Sequence, residues 1–463
     1  MKIGRRILAA LLTASLCICL GTNAYAQEVD DKKNEEEELT EAEKKEKEEQ
    51  KRIYKLPIQT NELKDWPKGP GTYGEAAIVM EVGTGSILYA KNIDDHHYPA
   101  SITKVLTALV AFENGSFEDQ VTFSHDCVSF LQPGDSSVGL KEGNVITLEQ
   151  ALYATLLASA NEAAYAVGEN VGKNAGHDYQ WFIDQMNQRC KELGGENSNF
   201  VNTNGLHDPD HYTCARDMAL IGRELFSHPE FFEIVQTMEY KIPKSKTVEE
   251  HVFQQKHKML KKGNSNYYKY AIGGKTGFTS DALSTLITMA DNGEMQLVCV
   301  VLRTHGKNVY PDTTNLFNYV FKNFHKVDVR EAEKSEDVGE ILEEEGSSTY
   351  VMLPKGIGFD ALDMELTPDE GIEGTATLTY TYEGHYAGEV KAKLSDSYLE
   401  EHSAKIEEVE GNSPGKTEGK SGRSRTEILI LAGACACLLI LVIAFICLII
   451  RARRKRKIRR RRK

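Results

Sequence analysis

The sequence predicts an α/β (α+β) domain with an antiparallel sheet flanked by helices, a small all-β domain after it, and a C-terminal transmembrane helix. Three observations carry this prediction. Strand and helix signals alternate over residues 73–304, and residues 375–394 then alternate apolar and polar side chains with the period of a half-buried strand. Residues 428–450 are apolar without a charge, which is long enough to cross a hydrocarbon core of about 30 Å as a helix.

The first of these domains, which we expect over residues 65–310, contains recognisable turns and caps. A glycine-rich turn separates two apolar runs and predicts a hairpin, and a helix with apolar residues at helical spacing ends at Gly115. Thr147 and Gln150 have the spacing of a capping box, and another helix is predicted over 178–193, ending at Gly194-Gly195. The last predicted elements are two strands over 283–302, joined by a turn of the Asn-Gly type.

The C-terminal part is predicted to be modular. Residues 325–403 form the small β domain, with a turn at Glu383-Gly384 between its clearest strands. Residues 404–427 are rich in Gly, Ser and charge, which predicts a flexible stalk. Residues 27–64 are rich in Glu and Lys and poor in apolar residues, so we expect an acidic spacer there, disordered or loosely helical.

The two ends of the chain predict its location. Residues 1–26 have the basic start, apolar run and Ala-x-Ala ending of a secretory signal peptide. The predicted span at 428–450 is followed by the basic tail 451–463, and the positive-inside rule assigns that tail to the cytoplasm. We therefore expect a single-pass protein of the cell membrane whose domains lie outside the cytoplasm.

The charge of the chain argues against a nucleic-acid-binding protein, and the spacing of its cysteines argues against a zinc site. The net charge of −14 combines strongly basic ends with an acidic middle, which disfavours binding to nucleic acid. Four cysteines lie between the signal and the span, without a C-x-x-C pair or zinc-ligand spacing, and they are either buried thiols or one or two disulfides. These are Cys127, Cys190, Cys214 and Cys299.

The first chemical motif is Ser101-Ile-Thr-Lys104, at the start of the apolar helix. Positions i and i+3 share a helix face, so the lysine amine can approach the serine hydroxyl. A serine becomes a strong nucleophile when a base takes its proton, and lysine can be that base only if its pKa is lowered. By itself the motif is weak, because Ser101 could be a helix cap and Ser413-Pro-Gly-Lys416 matches it in the stalk.

Two further motifs follow along the chain. Ser159-Ala-Asn161 lies between two helical segments, where a serine or asparagine is ordinarily a cap. Lys275-Thr276-Gly277 lies near the last strand pair, where glycine allows a ligand to approach and lysine adds a positive charge. A phosphate-binding loop is excluded there, because the spacing differs and a strand follows instead of a helix.

The three motifs in this order resemble the signature of penicillin-binding proteins and serine β-lactamases. Over residues 65–400 the chain resembles the low-molecular-mass penicillin-binding D-alanyl-D-alanine carboxypeptidases, which implies a β-lactamase/transpeptidase-like catalytic domain. The segments 202–208 and 211–218 also look like a loop and a helix of that family. The predicted spanning helix differs from the amphipathic surface helix that ends better-known members.

The resemblance also implies the roles of individual residues. Ser101 attacks the penultimate D-alanine carbonyl of a peptidoglycan stem peptide ending in D-Ala-D-Ala, and Lys104 accepts its proton. Ser159 and Asn161 serve proton transfer to the leaving group and substrate positioning. Binding of the substrate falls to the Lys-Thr-Gly strand, through Lys275, Thr276, Gly277 and Phe278, with the N–H groups of Ser101 and Phe278 as the oxyanion hole. β-Lactams are the expected inhibitors, and neither a metal nor an organic cofactor is required.

Three alternatives stay open on the sequence. A serine β-lactamase shares the motifs but needs a carboxylate that activates the deacylating water, for which Glu196 is a fragmentary candidate. A metalloenzyme could use His207 and His211, although Pro209 keeps them off one helix face. A penicillin sensor or wall scaffold without catalysis could keep the same fold.

Overall fold

The computed structural model describes residues 40–344, 346, 348–369, 372 and 374–402. The predicted signal peptide, stalk, transmembrane helix and basic tail lie outside these residues. Within the described part of the chain, no helix combines the length and the apolar character needed to cross a membrane. The described residues up to Leu399 form one compact unit.

The elements alternate in type along the first domain and become strands in the second. The α-helices of the described residues are α1 (Glu41–Tyr54), α2 (Lys104–Asn114), α3 (Asp126–Ser129), α4 (Leu148–Leu156), α5 (Asn161–Asn174), α6 (Tyr179–Glu192), α7 (Ala215–Glu224), α8 (Pro229–Gln236), α9 (Val309–Asn323) and α10 (Val329–Ala332). The strands are β1 (Ala76–Glu81), β2 (Ile87–Lys91), β3 (Gln120–Thr122), β4 (Val145–Thr147), β5 (Glu239–Ile242), β6 (His251–Gln254), β7 (Ala271–Thr279), β8 (Leu283–Asp291), β9 (Gln296–Thr304), β10 (Phe324–Asp328), β11 (Val338–Ile341), β12 (Tyr350–Pro354), β13 (Asp363–Pro368), β14 (Thr375–Tyr382) and β15 (His385–Leu394).

A five-stranded antiparallel sheet, ordered β2-β1-β9-β8-β7, forms the centre of the first domain. Successive residues of a strand point to opposite faces. Ile78 of β1 accordingly packs with the core on the side of α2, α4, α5, α6 and α7, whereas Val79 packs with the core on the side of α9. Helices therefore cover both faces, which explains why β1 is buried along its whole length. At one edge of this sheet lies β7.

The local predictions for this domain are confirmed. The first two strands pair as the expected hairpin, and α2 ends at Gly115. The capping box at Thr147 forms with both of its hydrogen bonds, and the helix predicted over 178–193 is α6. These features depend on residues close together in the chain, so local patterns were sufficient to predict them. Between the two states that the sequence left open for the four cysteines, the structure has buried thiols.

The second domain consists of a two-stranded sheet, β10-β12, and a four-stranded sheet, β11-β15-β14-β13. Buried and partly exposed residues alternate along β14, as predicted. The turn from β14 to β15 has positive φ at both Glu383 and Gly384 (49° and 76°), the geometry of a tight hairpin turn. Trp66 stacks against Tyr382 and meets the His385 ring edge-on, so the two domains share an aromatic contact.

The structure adds detail to two of the predicted segments. The predicted spacer at 27–64 contains a regular helix, α1, which begins with a capping box at Thr40 and buries Ile53. The first domain also continues beyond residue 310, because α9 packs on β8 and β9. The composition of α1 misled the prediction because its packing face carries glutamates that pair with basic side chains instead of an apolar stripe.

Candidate active site

Ser101 lies in a short 3-10 turn, Ala100–Thr103, that leads directly into α2. The turn is fixed from outside the helix, because Thr285 Oγ1 of β8 donates a 2.8 Å hydrogen bond to the Pro99 carbonyl. Ala100 has a φ of +51°, an uncommon conformation for a residue with a Cβ. The structure thus holds Ser101 in a constrained turn, and Lys104, the first residue of α2, lies one turn further on.

Lys104 is fully buried behind the serine. Its Nζ lies 3.0 Å from Ser101 Oγ, 2.8 Å from Asn161 Oδ1 and 2.5 Å from the Asn204 carbonyl oxygen. A neutral amine has two N–H donors and one lone pair. The two amide oxygens can occupy both donors, which leaves the lone pair directed at the Ser101 hydroxyl.

The surroundings of Lys104 favour its neutral form. Burial and then the positive charge of Lys275 hold the pKa of Lys104 well below its usual range, with a smaller contribution from Lys256. The buried carboxylate of Glu162 opposes this shift. Glu162 Oε1 accepts hydrogen bonds from Ser137 Oγ and from the N–H groups of Val138 and Gly139. A lysine whose neutral form is favoured in this way can accept the proton of the Ser101 hydroxyl.

The loop 202–208 presses against the nucleophile turn. Gly205 has a φ of +80°, and a Cβ there would lie 1.9 Å from the Ala100 carbonyl oxygen. The Asn202 side chain accepts a 2.7 Å hydrogen bond from the Gly205 N–H. This close approach is available to glycine alone, and it brings the Asn204 carbonyl to Lys104.

Ser159 and Lys275 form a second hydroxyl–amine pair. Ser159 sits between α4 and α5 with a φ of +62°, and its Oγ accepts a 2.9 Å hydrogen bond from Lys275 Nζ. Lys275 also donates to the Thr276 carbonyl at 2.8 Å and is nearly fully buried. Burial, followed by the charge of Lys256, lowers the pKa of Lys275 to about 7. The Ser159 hydroxyl is therefore free to donate its own proton elsewhere.

The Lys-Thr-Gly segment lies within the edge strand β7, and its strand position agrees with the prediction. A Cβ on Gly277 would lie 3.0 Å from the Ser101 backbone nitrogen and 2.2 Å from Thr285 Oγ1. Glycine at this position therefore lets the strand run beside the nucleophile. The next residue, Phe278, is 68% exposed, which is unusual for an aromatic side chain beside a cleft.

These groups open onto one cleft of about 720 Å³. Its lining includes Ser101, Ser159, Asn161, Thr276, Gly277 and Phe278, while Lys104 and Lys275 lie beneath it. The structure thus gathers all eight residues proposed from the sequence around one space. The second Ser-x-x-Lys match, at residues 413–416, lies outside the described residues.

The similarity to known proteins agrees with this geometry. The family model of peptidase family S11, D-alanyl-D-alanine carboxypeptidase, matches residues 66–306. The chain belongs to the D-alanyl-D-alanine carboxypeptidase family. The resemblance inferred from the three motifs is confirmed, and so is the transpeptidase-like α/β fold of the catalytic domain.

Individual relatives of this carboxypeptidase family member are distant in sequence. The D-alanyl-D-alanine carboxypeptidase DacF of Bacillus subtilis is 27% identical over 60% of this chain and 69% of its own length. DacA of Escherichia coli is 30% identical over 56% of this chain and 64% of its own length. The crystal structure of the Streptomyces K15 DD-transpeptidase, 27% identical, covers 55% of this chain and 100% of its own length with a TM-score of 0.51.

Sequence reasoning missed three contributors to the site of this carboxypeptidase family member. Lys256 lines the cleft and lowers the pKa of both buried lysines. The Asn204 carbonyl and the Glu162 carboxylate complete the surroundings of Lys104. The segment 202–208 was noticed as family-like, which is a signal for Asn204, and Glu162 directly follows Asn161. Lys256 lies far from every motif in the chain and carries no local signal.

The histidines proposed for a metalloenzyme have other contacts. His211 is buried, and its Nδ1 accepts a 3.1 Å hydrogen bond from the Val201 N–H. Its Nε2 therefore carries the hydrogen and donates to Thr103 Oγ1 at 2.9 Å. Burial lowers the pKa of His211 to about 4, so it stays neutral. With both ring nitrogens engaged, His211 supports the nucleophile turn and has no lone pair left for a metal ion.

Proposed function

We propose that this chain is a serine-type D-Ala-D-Ala carboxypeptidase, which removes the terminal D-alanine from peptidoglycan stem peptides through an acyl-enzyme on Ser101. The observation that carries the proposal is the buried Lys104 amine, 3.0 Å from Ser101 Oγ, with both of its N–H donors matched by amide oxygens. Membership of the carboxypeptidase family supports the same reaction. Ser101, Lys104, Ser159 and Asn161 are the proposed catalytic residues.

Acylation begins at the Ser101 hydroxyl. Its proton passes to Lys104 Nζ while Oγ attacks the penultimate D-alanine carbonyl, so the carbonyl π electrons move onto oxygen. The N–H groups of Ser101 and Phe278 stabilise that oxyanion. The position of Gly277 beside the Ser101 nitrogen supports this assignment, because Phe278 follows it on the same strand.

The peptide bond then breaks with a proton delivered to the leaving nitrogen. Ser159 donates this proton, and it recovers one from the neighbouring Lys275 ammonium at 2.9 Å. The terminal carboxylate of the substrate is assigned to Thr276, which lines the cleft at the edge of the sheet, and to Lys275, whose amine lies directly beneath it. Asn161 orients both the Lys104 amine and the substrate amide.

Before the second half of the cycle, Lys104 releases to solvent the proton that it took from Ser101, and Lys275 takes one up in place of the proton that it supplied through Ser159. Water then attacks the ester carbonyl with the neutral Lys104 as its base, and Lys104 returns that proton to Ser101 Oγ as the ester bond breaks. An amine in place of water would give transpeptidation from the same acyl-enzyme. The name of the Streptomyces K15 protein records that second outcome, whereas the curated relatives are named carboxypeptidases. Both outcomes release one D-alanine from the donor peptide.

The proposed function is tested with the purified full-length chain and a peptide ending in D-Ala-D-Ala. We expect stoichiometric release of D-alanine and a product shortened by one residue, with the diastereomer ending in L-Ala unreacted. Benzylpenicillin is expected to form one stable adduct per chain, because its ring-opened leaving group stays tethered and blocks the approach of water. Mass spectrometry measures both products.

The alternatives predict different results in this experiment. A β-lactamase would hydrolyse penicillin rapidly without a stable adduct. It requires a carboxylate that activates water, yet Glu196 is exposed and is not among the described residues that line the cleft. A scaffold without catalysis would give neither D-alanine nor an adduct. Either result would contradict the proposal.

We also propose that the enzyme is held in the cell membrane by residues 428–450, with its catalytic domain outside the cytoplasm. The support is the uncharged apolar run, the basic tail after it and the secretory pattern at 1–26. Access to peptidoglycan requires this orientation.

Deleting residues 427–463 is expected to release an active ectodomain into the soluble fraction, while the full chain sediments with membranes. D-alanine release per molecule should match that of the full chain, because the three motifs all lie before residue 280. Fractionation and activity assays measure this. A truncated chain that still sediments with membranes would contradict the proposed anchor.

A further inference from the structure

The acidic helix α1, for which the sequence suggested only a spacer, makes its contacts at the end of β9 and in the loop that follows it. Arg303 Nη1, near the end of β9, lies 3.1 Å from Glu49 Oε1 and 2.7 Å from Glu75 Oε2. His305, in the loop, lies 3.3 Å from the other Glu49 oxygen and 3.6 Å from Glu46 Oε1. Two glutamates of α1 thus meet two basic residues where β9 passes into this loop.

The contacting residues form one stripe along the helix. Glu46, Glu49, Gln50 and Ile53 have the i, i+3, i+4, i+7 spacing of a single face. Gln50 approaches the Asn308 side chain at 3.5 Å, and Ile53 is buried with its carbonyl accepting from Lys91 Nζ at 2.8 Å. The helix is therefore attached at its middle and at its C-terminal end.

The electrostatic environment of Glu49 agrees with a stable contact. Burial opposes ionisation of this carboxyl, but the hydrogen bond and charge of Arg303 and the charge of His305 outweigh it, so the pKa of Glu49 is lowered. Glu49 keeps its negative charge at neutral pH and remains able to hold both basic residues.

The same loop forms part of the wall of the catalytic cleft. Gly306, Lys307, Val309 and Tyr310 line the space that also contains Ser101 and Phe278. The residues that contact α1 are Arg303, His305 and Asn308, and they are interspersed along the chain with these cleft-lining residues. Arg303 and Gly306 both have positive φ, 54° and 61°, so this loop follows a sharply turned path.

We propose that α1 is a positioning element of the active site, in which Glu46 and Glu49 hold residues 305–310 in the conformation that completes the substrate-binding wall. The inference rests on the proposed function. Neither glutamate lines the cleft, so both are positioning residues that act through the loop. Loss of their charges then weakens binding of the substrate more than it slows the chemical step at Ser101.

The test compares two variants of the full-length chain, purified in a mild detergent. The first is Glu46→Gln with Glu49→Gln, which removes both charges and keeps the side-chain size. The matched control is Glu48→Gln on the opposite, exposed side of the same helix. For a D-Ala-D-Ala peptide we expect the double variant to raise KM about 3- to 10-fold with kcat within about twofold, and the control to match the wild type.

A second measurement separates positioning from stability. Glu49→Arg alone is expected to raise KM, and Glu49→Arg combined with Arg303→Glu is expected to restore it partly. A double glutamine variant with a lowered Tm but an unchanged KM would overturn the inference, since it would assign α1 a purely structural role. A wild-type chain that releases no D-alanine would instead refute the proposed function, so the two failures are distinguishable.

Discussion

Replacing Ser101 with alanine is expected to abolish D-alanine release and penicillin labelling together, with a loss of activity of about 10⁴-fold or more. Both reactions need the same oxygen to form an ester, and Lys104 cannot attack in its place because it lies buried behind the serine. The assays are D-alanine release and the intact mass of the chain after exposure to benzylpenicillin.

The control for this experiment is Ser280→Ala, which alters another serine on the lining of the same cleft. Ser280 is exposed at the end of β7 and has no role in the proposed mechanism, so we expect wild-type labelling. The labelled peptide of the wild type is expected to contain Ser101. An adduct on any other serine, or activity of Ser101→Ala near that of the wild type, would refute the nucleophile.

The parts of the site that could be predicted from the sequence are those whose residues lie close together in the chain. Ser101 and Lys104 are one helical turn apart, and Lys275, Thr276 and Gly277 are consecutive. Their spacing alone restricts how the side chains can be arranged. The order of the motifs along the chain then supplied the family and, with it, the fold around them.

The parts that could not be predicted depend on long-range packing. The positive charge of Lys256 lowers the pKa values of Lys104 and Lys275. This effect depends on how close the three side chains lie and how deeply they are buried, which no local sequence pattern predicts. The docking of α1 is not predicted from the sequence for a related reason. The ion pairs on its contact face are made by glutamates, which the sequence cannot distinguish from solvated glutamates until Arg303 and His305 are found opposite them.

Helix caps are local features that can be predicted from the sequence but are easily hidden by composition. The side chains of Thr147 and Gln150 each accept a hydrogen bond from the backbone N–H of the other residue, three positions away. The capping box can therefore be predicted from the sequence. The box at Thr40 and Glu43 has the same form and marks the start of α1. It is the local signal for a regular helix in a segment whose composition alone indicates a spacer.

Replacing Lys104 with arginine is expected to slow acylation by benzylpenicillin about 10²- to 10⁴-fold. Arginine stays protonated and does not give up its proton, so it cannot serve as the base for the Ser101 hydroxyl. Lys104→Met removes the base without introducing a charge, and we expect a loss of similar size. The rate is measured by stopped-flow mixing followed by intact-mass analysis, with Tm as the check that each variant is folded.

The pH dependence of acylation provides the independent check on Lys104 as the base. Only its neutral form accepts a proton, so the rate rises with pH through the pKa of Lys104, which burial and Lys275 hold far below its usual range. Lys256→Gln removes another positive charge that lowers this pKa, so the rise is expected at higher pH. Lys262→Gln, an exposed lysine nearby in the chain, is the control and is expected to leave the profile unchanged. A profile that does not move in Lys256→Gln, together with rapid acylation of Lys104→Arg, would show that another group takes the serine proton.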